Sequence, residues 1–253
     1  MIQYFRKGER NLNRQEILNK FVNEDDKLLV SKLLDKIEFT TKRNTVEHTD
    51  FLDMRQRQIL EKLMHEIKYT NYVSYGGYKT AERTVIITYP TKLEEVFKEN
   101  NFEYGSIMNV IRIVLPNELK GMYSHRNYLS GVIKIGMRRE KVGDIITRHD
   151  GADLIVLKEA SKYILSGLKE LTRFSKAEFE ELSISELEIA EPKTEKISII
   201  IPSMRIDSIV SEIIRTSRAK ASNIIKEEKV FINHELVLKG SKEVKPNDII
   251  TVR

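Results

Sequence analysis

Basic side chains near the end of the chain have a spacing that suits contact with phosphates. Two runs of apolar residues at helical spacing predict two short helices after residue 203. Arg218, Lys220 and Lys226 lie outside the apolar face of the second predicted helix. Basic groups held on one rigid surface can bind the phosphate backbone of a nucleic acid. Charge alone favours the alternative, a solvated helix pair whose basic side chains contact no partner.

A second basic block lies in the middle of the chain. It begins with His125-Arg126-Asn127-Tyr128-Leu129 and continues with Arg138-Arg139-Glu140-Lys141. This block predicts either a capped helix followed by a basic turn, or a second contact with RNA or a ribosome. The candidate residues for that second contact are His125, Arg126, Arg138, Arg139 and Lys141.

Known catalytic and metal-binding patterns are missing from the sequence. Asn127 stands where a protein kinase would have its catalytic aspartate, and the chain has no glycine-rich phosphate loop and no Asp-Phe-Gly triplet. The five histidines are scattered and there is no cysteine, so no zinc-type ligand set exists. The sequence therefore predicts no catalytic residue, no cofactor and no metal site.

The overall composition permits a polyanionic partner. The 253 residues include 43 Lys and Arg against 38 Asp and Glu, a net charge of +5, and residues 203–253 contribute 10 basic and 7 acidic side chains. No stretch has the apolar length needed to cross a bilayer, and no apolar run follows the charged N-terminus. We therefore expect a cytoplasmic protein that does not bind membranes.

The positions of the predicted elements divide the chain into four parts. We expect an α+β protein with a helical N-terminal domain over residues 1–68 and an α/β middle domain of ferredoxin-like type over 69–182. An acidic linker is expected over 183–202, and a C-terminal module of two helices and a small sheet over 203–253.

Capping residues locate the helices of the N-terminal domain. Asn11 or Asn13 precedes a short periodic run, and Asp53 precedes a longer run that ends near Ile67. The polar segment Thr40–Thr49 predicts a loop between them.

Alternating strands and helices characterise the middle domain. Ile107–Leu115 predicts a strand, and Asp150-Gly151 predicts the turn of a hairpin. Helices are predicted over Ser124–Ile135 and Lys158–Leu171, and this alternation is typical of a split βαβ domain. Two further strands are predicted at Tyr72–Tyr75 and Thr84–Thr88.

Serines and turn residues locate the elements of the C-terminal module. Ser203 and Ser217 are predicted N-caps of its two helices. Asn233-His234 predicts a hairpin turn, and Pro246-Asn247-Asp248 predicts a tight turn before the last strand.

These C-terminal features resemble the S4 RNA-binding domain family across residues 203–253. The matching segments are Arg205-Ile206-Asp207, Ser217-Arg218 with Ala221, Lys229-Val230-Phe231-Ile232-Asn233, and Asp248-Ile249-Ile250. Two residues depart from the pattern, since Glu228 and Asn247 stand where the family usually has glycine. The resemblance implies that Asp207 orients Arg205 or Arg218. It also implies RNA contacts from Arg205, Arg218, Lys220, Lys226 and Lys229.

The order of domains resembles the YlmH family over nearly the full length. The resemblance is strongest in residues 121–146 and 203–253, and it extends to Gly76-Gly77-Tyr78 followed by Ala81-Glu82-Arg83. The family usually has aspartate at the position of Asn127, so we expect a neutral hydrogen bond there in place of a salt bridge.

The resemblance implies a cytoplasmic, noncatalytic RNA-binding protein of bacteria, and we expect it to be a monomer. Its partners would be the large ribosomal subunit with its rRNA, and as a further candidate tRNA, in rescue of stalled nascent chains. An older association places the family among cell-division genes. Two alternatives stay open: an rRNA-modifying enzyme targeted by an S4 domain, and a division-associated scaffold. Signature motifs of rRNA methyltransferases, tyrosyl-tRNA synthetases and pseudouridine synthases are absent from the sequence, which favours the noncatalytic function.

Overall fold

The computed structural model describes residues 13–189, 195–233 and 235–252. The chain divides between residues 189 and 190 into two compact units. Both units combine helices with strands, so the predicted α+β class is confirmed. Within those three ranges, no helix combines the length and the apolar character needed to cross a membrane.

The first unit has six helices and seven strands among its described residues. The helices are α1 (Arg14–Leu18), α2 (Glu24–Arg43), α3 (Met54–Glu66), α4 (Glu94–Lys98), α5 (His125–Lys134) and α6 (Lys158–Glu170). The strands are β1 (Glu47–His48), β2 (Tyr72–Tyr75), β3 (Val85–Thr88), β4 (Met108–Val114), β5 (Val142–Arg148), β6 (Gly151–Leu157) and β7 (Glu178–Ser183).

Polar side chains fix where the N-terminal helices begin. The Asn13 side chain accepts a hydrogen bond from the backbone N–H of Glu16, and Asp53 accepts one from that of Gln56. Both predicted caps are therefore confirmed, and each satisfies a backbone donor that the first turn leaves free. Asn11 lies outside the described residues.

Helix α2 is longer than its sequence pattern predicts. It continues through Thr40 to Arg43 and ends at Asn44, whose φ of 57° is left-handed. Thr40 is buried, and its hydroxyl lies 2.7 Å from that of Thr88 on β3. The predicted loop therefore begins only after Arg43, since this buried hydrogen bond supports the last turn of the helix.

A three-stranded antiparallel sheet connects the N-terminal helices to the rest of the unit. Its order is β1-β3-β2, so residues on both sides of position 68 pair with each other. Ile86 of β3 packs with Leu34 and Met64 of the helices, whereas its neighbours Val85 and Ile87 belong to the core of the middle region. Residues 1–68 and 69–182 thus share this sheet within one compact unit.

The four-stranded sheet of the first unit has the ferredoxin-like arrangement. Its strands lie in the order β5-β6-β4-β7 and are all antiparallel, and α5 and α6 pack against them. A βαββαβ chain order with this strand order confirms the ferredoxin-like prediction. The arrangement covers residues 108–183, because β2 and β3 belong to the other sheet.

The predicted hairpin at Asp150-Gly151 joins β5 to β6. A Cβ on Gly151 would lie 1.8 Å from the carbonyl oxygen of Ile113 on β4, so only glycine fits this close approach. The segment after β7 also belongs to the first unit, since Ile184 is buried in its core. The predicted linker at 183–202 therefore begins inside the unit, and residues 190–194 lie outside the described residues.

The second unit has two helices and three strands among its described residues. They are α7 (Ile206–Ile213), α8 (Arg218–Lys226), β8 (Val230–Ile232), β9 (Glu235–Leu236) and β10 (Ile250–Val252). The sheet order is β10-β8-β9 and its pairs are antiparallel. Two helices and a small sheet are the architecture predicted for residues 203–253.

One of the two predicted caps in this unit is wrong. Ser217 caps α8 by accepting a hydrogen bond of 3.3 Å from the N–H of Lys220. Ser203 does not cap α7, which begins only at Ile206. The residues before α7 are extended instead, because Met204 accepts a hydrogen bond of 2.8 Å from the N–H of Val244.

Asn233 and Asp248 hold the predicted turns of the second unit. The Asn233 side chain accepts from the N–H of Ile249 at 2.9 Å and donates to Asp248 at 2.7 Å. Asp248 also accepts from the N–H of Lys245 at 2.7 Å, which closes the predicted turn before the last strand. His234 lies outside the described residues.

Candidate nucleic-acid interface

A buried aspartate holds two arginine side chains at the surface of the second unit. Asp207 accepts hydrogen bonds from Arg205 at Nε (3.2 Å) and Nη2 (2.7 Å), and from Arg218 Nη2 at 3.0 Å. The Asp207 side chain is only 5% exposed, whereas those of Arg205 and Arg218 are 42% and 48% exposed. The sequence expectation that Asp207 orients one arginine is confirmed, and it orients both.

The arginine bonds keep Asp207 ionised. They lower the pKa of its carboxyl to about 2, with the Arg205 hydrogen bond as the largest cause and the Arg218 bond adding to it.

The two arginines keep N–H donors that Asp207 does not use, because an arginine has five N–H donors. Nη1 of Arg205, and both Nε and Nη1 of Arg218, are not used by Asp207. These donors suit a phosphate, which accepts parallel hydrogen bonds from guanidinium groups.

Three predicted lysines lie on the exposed surface of the same unit. Lys220 and Lys226 belong to α8, and neither forms an ion pair with another described residue of the chain. Lys229 follows the helix and pairs with Glu227. Lys220 and Lys226 are therefore free to contact a phosphate. Lys229 would have to leave the Glu227 carboxylate before it could bind a phosphate.

The two departures from glycine occupy left-handed backbone positions. Glu228 has a φ of 60° and Asn247 a φ of 69°. Glycine adopts this conformation without the steric cost that a Cβ imposes, and asparagine tolerates it better than most residues. This geometry explains why glycine is usual at both positions, and it identifies Glu228 as the more strained exchange.

The middle basic block is divided by the structure. Arg126 is exposed in the first turn of α5, and Arg138 is 60% exposed with Asp50 at 3.7 Å and Glu140 at 3.5 Å. His125 is exposed beside Arg126. RNA contact by Arg126 and Arg138 stays a prediction that this geometry permits.

Arg139 and Lys141 have partners inside the first unit. Arg139 Nη1 donates to the carbonyl oxygens of Val142 and, at 3.0 Å, Gly143. Burial, followed by repulsion from Arg83, lowers the Arg139 pKa to about 10. Lys141 lies between Asp50 at 2.7 Å and Glu159 at 2.6 Å. The structure therefore corrects the expectation that these two residues offer free charges on an open surface.

Residues of two distant motifs meet at Asp144. Its carboxylate accepts hydrogen bonds from the Tyr78 hydroxyl and from the backbone N–H groups of Glu82 and Arg83. Burial first, and then the bond to Asp144, raises the pKa of Tyr78. A Cβ on Gly76 would lie 2.2 Å from the Arg83 carbonyl oxygen, so the turn requires glycine. The sequence showed both motifs but gave no signal that they touch.

Asn127 forms the neutral hydrogen bond that its residue type predicts. Its Oδ1 accepts from the backbone N–H of Ser124 at 2.9 Å and closes a capping box at the start of α5. The backbone carbonyl of Asn127 accepts from Arg173 Nη1 at 2.7 Å. In the described parts of the chain, no three or more His, Asp and Glu side chains are grouped so that they could hold a metal ion.

Fold and surface together define an α+β protein in which a helical segment and a ferredoxin-like domain precede a small module with an aspartate-held arginine pair. Two family models match this chain: the one described as "YlmH, N-terminal" over residues 25–93, and the one described as "Putative RNA-binding domain in YlmH" over residues 97–186. The chain belongs to the YlmH family.

Two relatives are similar over much of the chain. The "Ribosome-associated protein quality control protein P2" of Bacillus subtilis (strain 168) is 25% identical over 232 residues, which is 91% of this chain and 86% of that protein. The solved structure of "Cell division protein ylmH from Streptococcus pneumoniae" is 22% identical with a TM-score of 0.49, and the match covers 66% of this chain and 96% of that one.

Proposed function

We propose that this protein binds rRNA of the large ribosomal subunit, together with a peptidyl-tRNA, and acts without catalysis in the rescue of stalled nascent chains in the cytoplasm. The observation that carries the proposal is the Arg205–Asp207–Arg218 arrangement, which fixes two guanidinium groups at the surface. The description of the family model over residues 97–186 and the name of the Bacillus subtilis relative support RNA and the ribosome as partners.

The second unit would act through a preorganised set of charges. Because Asp207 already holds both arginines in place, little side-chain freedom remains to be lost when a phosphate binds. Lys220 and Lys226 would add charge on the same helix as Arg218. Phosphate contacts of this kind release counterions, so affinity for RNA should fall steeply with salt. No chemical step is needed, because holding the RNA in place is itself the function.

Co-sedimentation of the full chain with purified large subunits over a range of salt concentrations tests the proposal. We expect binding at low salt, and a plot of the logarithm of the binding constant against the logarithm of the salt concentration should fall steeply. Combining Lys220→Glu with Lys226→Glu should cause a large loss of binding. Lys162→Glu is the matched control, since Lys162 is exposed on α6 of the first unit.

Absence of co-sedimentation at low salt, or binding that the paired charge reversal leaves unchanged, would overturn the proposal. Two further arms address its finer parts. Addition of peptidyl-tRNA to the subunits should increase the bound fraction if the tRNA is contacted. Mapping of modified nucleotides after incubation of the rRNA with the protein and a methyl donor should show no new modification, and a new one would favour an enzyme.

A further inference from the structure

A cleft of about 700 Å³ is lined entirely by residues of the first unit. One wall comes from α2, and another comes from residues 138–141 and Glu159. The cleft combines residues matched by the N-terminal family model with residues matched by the RNA-binding model. Its volume falls in the range of about 300–1,000 Å³ that is typical of small-molecule sites.

Two arginines, Arg83 and Arg139, line this cleft together with carboxylates. The lining carboxylates are Asp35, Asp50, Asp53, Glu140 and Glu159. Arg83 donates to the carbonyl oxygens of Val142 (3.1 Å) and Phe51 (3.0 Å), and Arg139 donates to those of Val142 and Gly143. Among the residues that the structure describes, neither arginine forms an ion pair with a carboxylate.

Four of the lining carboxylates, Asp35, Asp50, Glu140 and Glu159, each have a basic partner, and the Asp53 carboxylate caps α3. Asp53, Asp144 and Glu140 act on Arg83 only from beyond ion-pair distance. Buried charges are normally paired, so two guanidinium groups bonded only to neutral carbonyls favour an anionic ligand.

The wall formed by α2 offers an aromatic ring and a lysine. Phe39 lines the cleft with 38% of its surface exposed, and the Arg43 guanidinium lies 4.6 Å from its ring centroid. Lys32 stands two turns before Phe39 on the same helix, is exposed, and has no ion-pair partner in the described ranges. Leu29 adds apolar surface beside them.

We propose that this cleft binds one unstacked nucleotide of single-stranded RNA, with its phosphate toward Arg83 and Arg139 and its base against Phe39. The phosphate would supply a directly bonded anionic acceptor, which neither guanidinium group has among the described residues. Aromatic rings and arginine planes are the surfaces on which single-stranded bases stack. The inference rests on the proposed function in one respect, because RNA bound by this protein is the source of the nucleotide.

The test uses the full chain with uridine and adenosine 5′-monophosphates as probes, and saturation-transfer NMR as the readout. We expect both nucleotides to bind, because stacking on a ring tolerates any base. Phe39→Ala should weaken binding about tenfold, as expected for the loss of one base–aromatic stack. Lys32→Glu should weaken it by a similar factor. Both side chains are exposed, so these variants should fold, and Lys162→Glu on α6 is the control that should bind as the wild type does.

Inorganic phosphate and uridine form the comparison arms. Binding of phosphate alone as tightly as the nucleotide, with no effect of Phe39→Ala, would overturn the assignment of the base to Phe39. Failure of both nucleotides to bind would overturn the inference as a whole. The pair Lys220→Glu and Lys226→Glu keeps the two proposals separate, because it should cause a large loss of co-sedimentation with large subunits and leave mononucleotide binding unchanged.

Discussion

The Asp144 carboxylate accepts a hydrogen bond of 2.7 Å from the hydroxyl of Tyr78, which lies 66 residues earlier in the chain. The same carboxylate accepts hydrogen bonds from the backbone N–H groups of Glu82 at 2.8 Å and Arg83 at 3.1 Å. Arg83 in turn donates to carbonyl oxygens of Val142 and Phe51. These bonds join the segment before β3 to the start of β5, and they help to make residues 13–189 one compact unit.

Replacement of Asp144 should therefore weaken the first unit. Asp144→Ala leaves a tyrosine hydroxyl and two backbone N–H groups without their acceptor, and we expect it to lower the free energy of unfolding by about 1–3 kcal/mol. Urea unfolding followed by circular dichroism measures this change. Glu103→Ala is the matched control, since Glu103 is exposed. Equal midpoints for the two variants would show that the Asp144 contacts add nothing to stability.

Local pattern was sufficient to predict the ferredoxin-like elements. The strand at 107–115, the hairpin at Asp150-Gly151 and the two helices each have a periodicity or a turn signal that is readable in the sequence. The domain boundary near residue 68 carried no comparable signal. Strand β3 is buried on both faces, and a short apolar run does not reveal which two layers will cover it.

The candidate sites show the same division between local and distant information. Arg205 and Asp207 are two residues apart, so their contact could be anticipated from the sequence. The burial of Arg139 could not, because it depends on a segment distant in the sequence: the N–H of Phe51 donates to the carbonyl oxygen of the neighbouring Glu140. The cleft beside α2 was missed for a related reason, since its walls come from segments about 100 residues apart in the sequence.

The Asp207 carboxylate should make the second unit sensitive to acid. Its folded-state pKa is lowered to about 2, so its stabilising effect is fully present above the unfolded value near 4 and is lost as the pH falls toward 2. Asp207→Asn should remove about 1–2 kcal/mol at neutral pH, after allowance for solvent screening. Hydrogen exchange of the Ile209 and Val210 amides between about pH 5 and pH 3 measures the difference between the two proteins.

The expected sign is specific. The wild-type unit should lose more stability than Asp207→Asn as the pH falls, because only the wild type has a carboxylate to protonate. Parallel pH profiles for the two proteins would contradict the role of Asp207 as the ionised centre of the arginine pair.

Asp207→Asn should also weaken RNA binding, although it removes a negative charge. Loss of the carboxylate frees Arg205 and Arg218 to sample other rotamers, so the ordering that Asp207 now provides would have to occur on binding. We expect affinity for large subunits to fall several-fold at a fixed salt concentration. A filter-binding titration on rRNA measures this, and an increase in affinity would indicate that net charge outweighs orientation.

Glu228→Gly should stabilise the second unit and strengthen RNA binding together. The residue has a φ of 60°, and glycine relieves the steric cost of that backbone by up to about 1 kcal/mol. The exchange also removes a negative charge beside Lys229. Asn247→Gly is the informative comparison, since its φ is 69° but asparagine is already tolerated there. The midpoint temperature of thermal unfolding should rise more for Glu228→Gly than for Asn247→Gly.

Arg126 and Arg139 should respond to substitution in opposite ways. Arg126 is exposed at the start of α5, so Arg126→Glu should leave the unfolding midpoint unchanged. It should weaken large-subunit binding and lower the salt slope by about one if Arg126 contacts a phosphate.

Arg139 holds the backbone at Val142 and Gly143. Arg139→Leu should therefore lower the free energy of unfolding by about 1–3 kcal/mol, because the Gly143 carbonyl loses this donor and the Val142 carbonyl keeps the bond from Arg83 alone. Salt-dependent co-sedimentation and urea unfolding of both variants separate the two effects. A stable Arg139→Leu protein would show that these carbonyls find another donor, and an unchanged salt slope for Arg126→Glu would remove Arg126 from the RNA-binding surface.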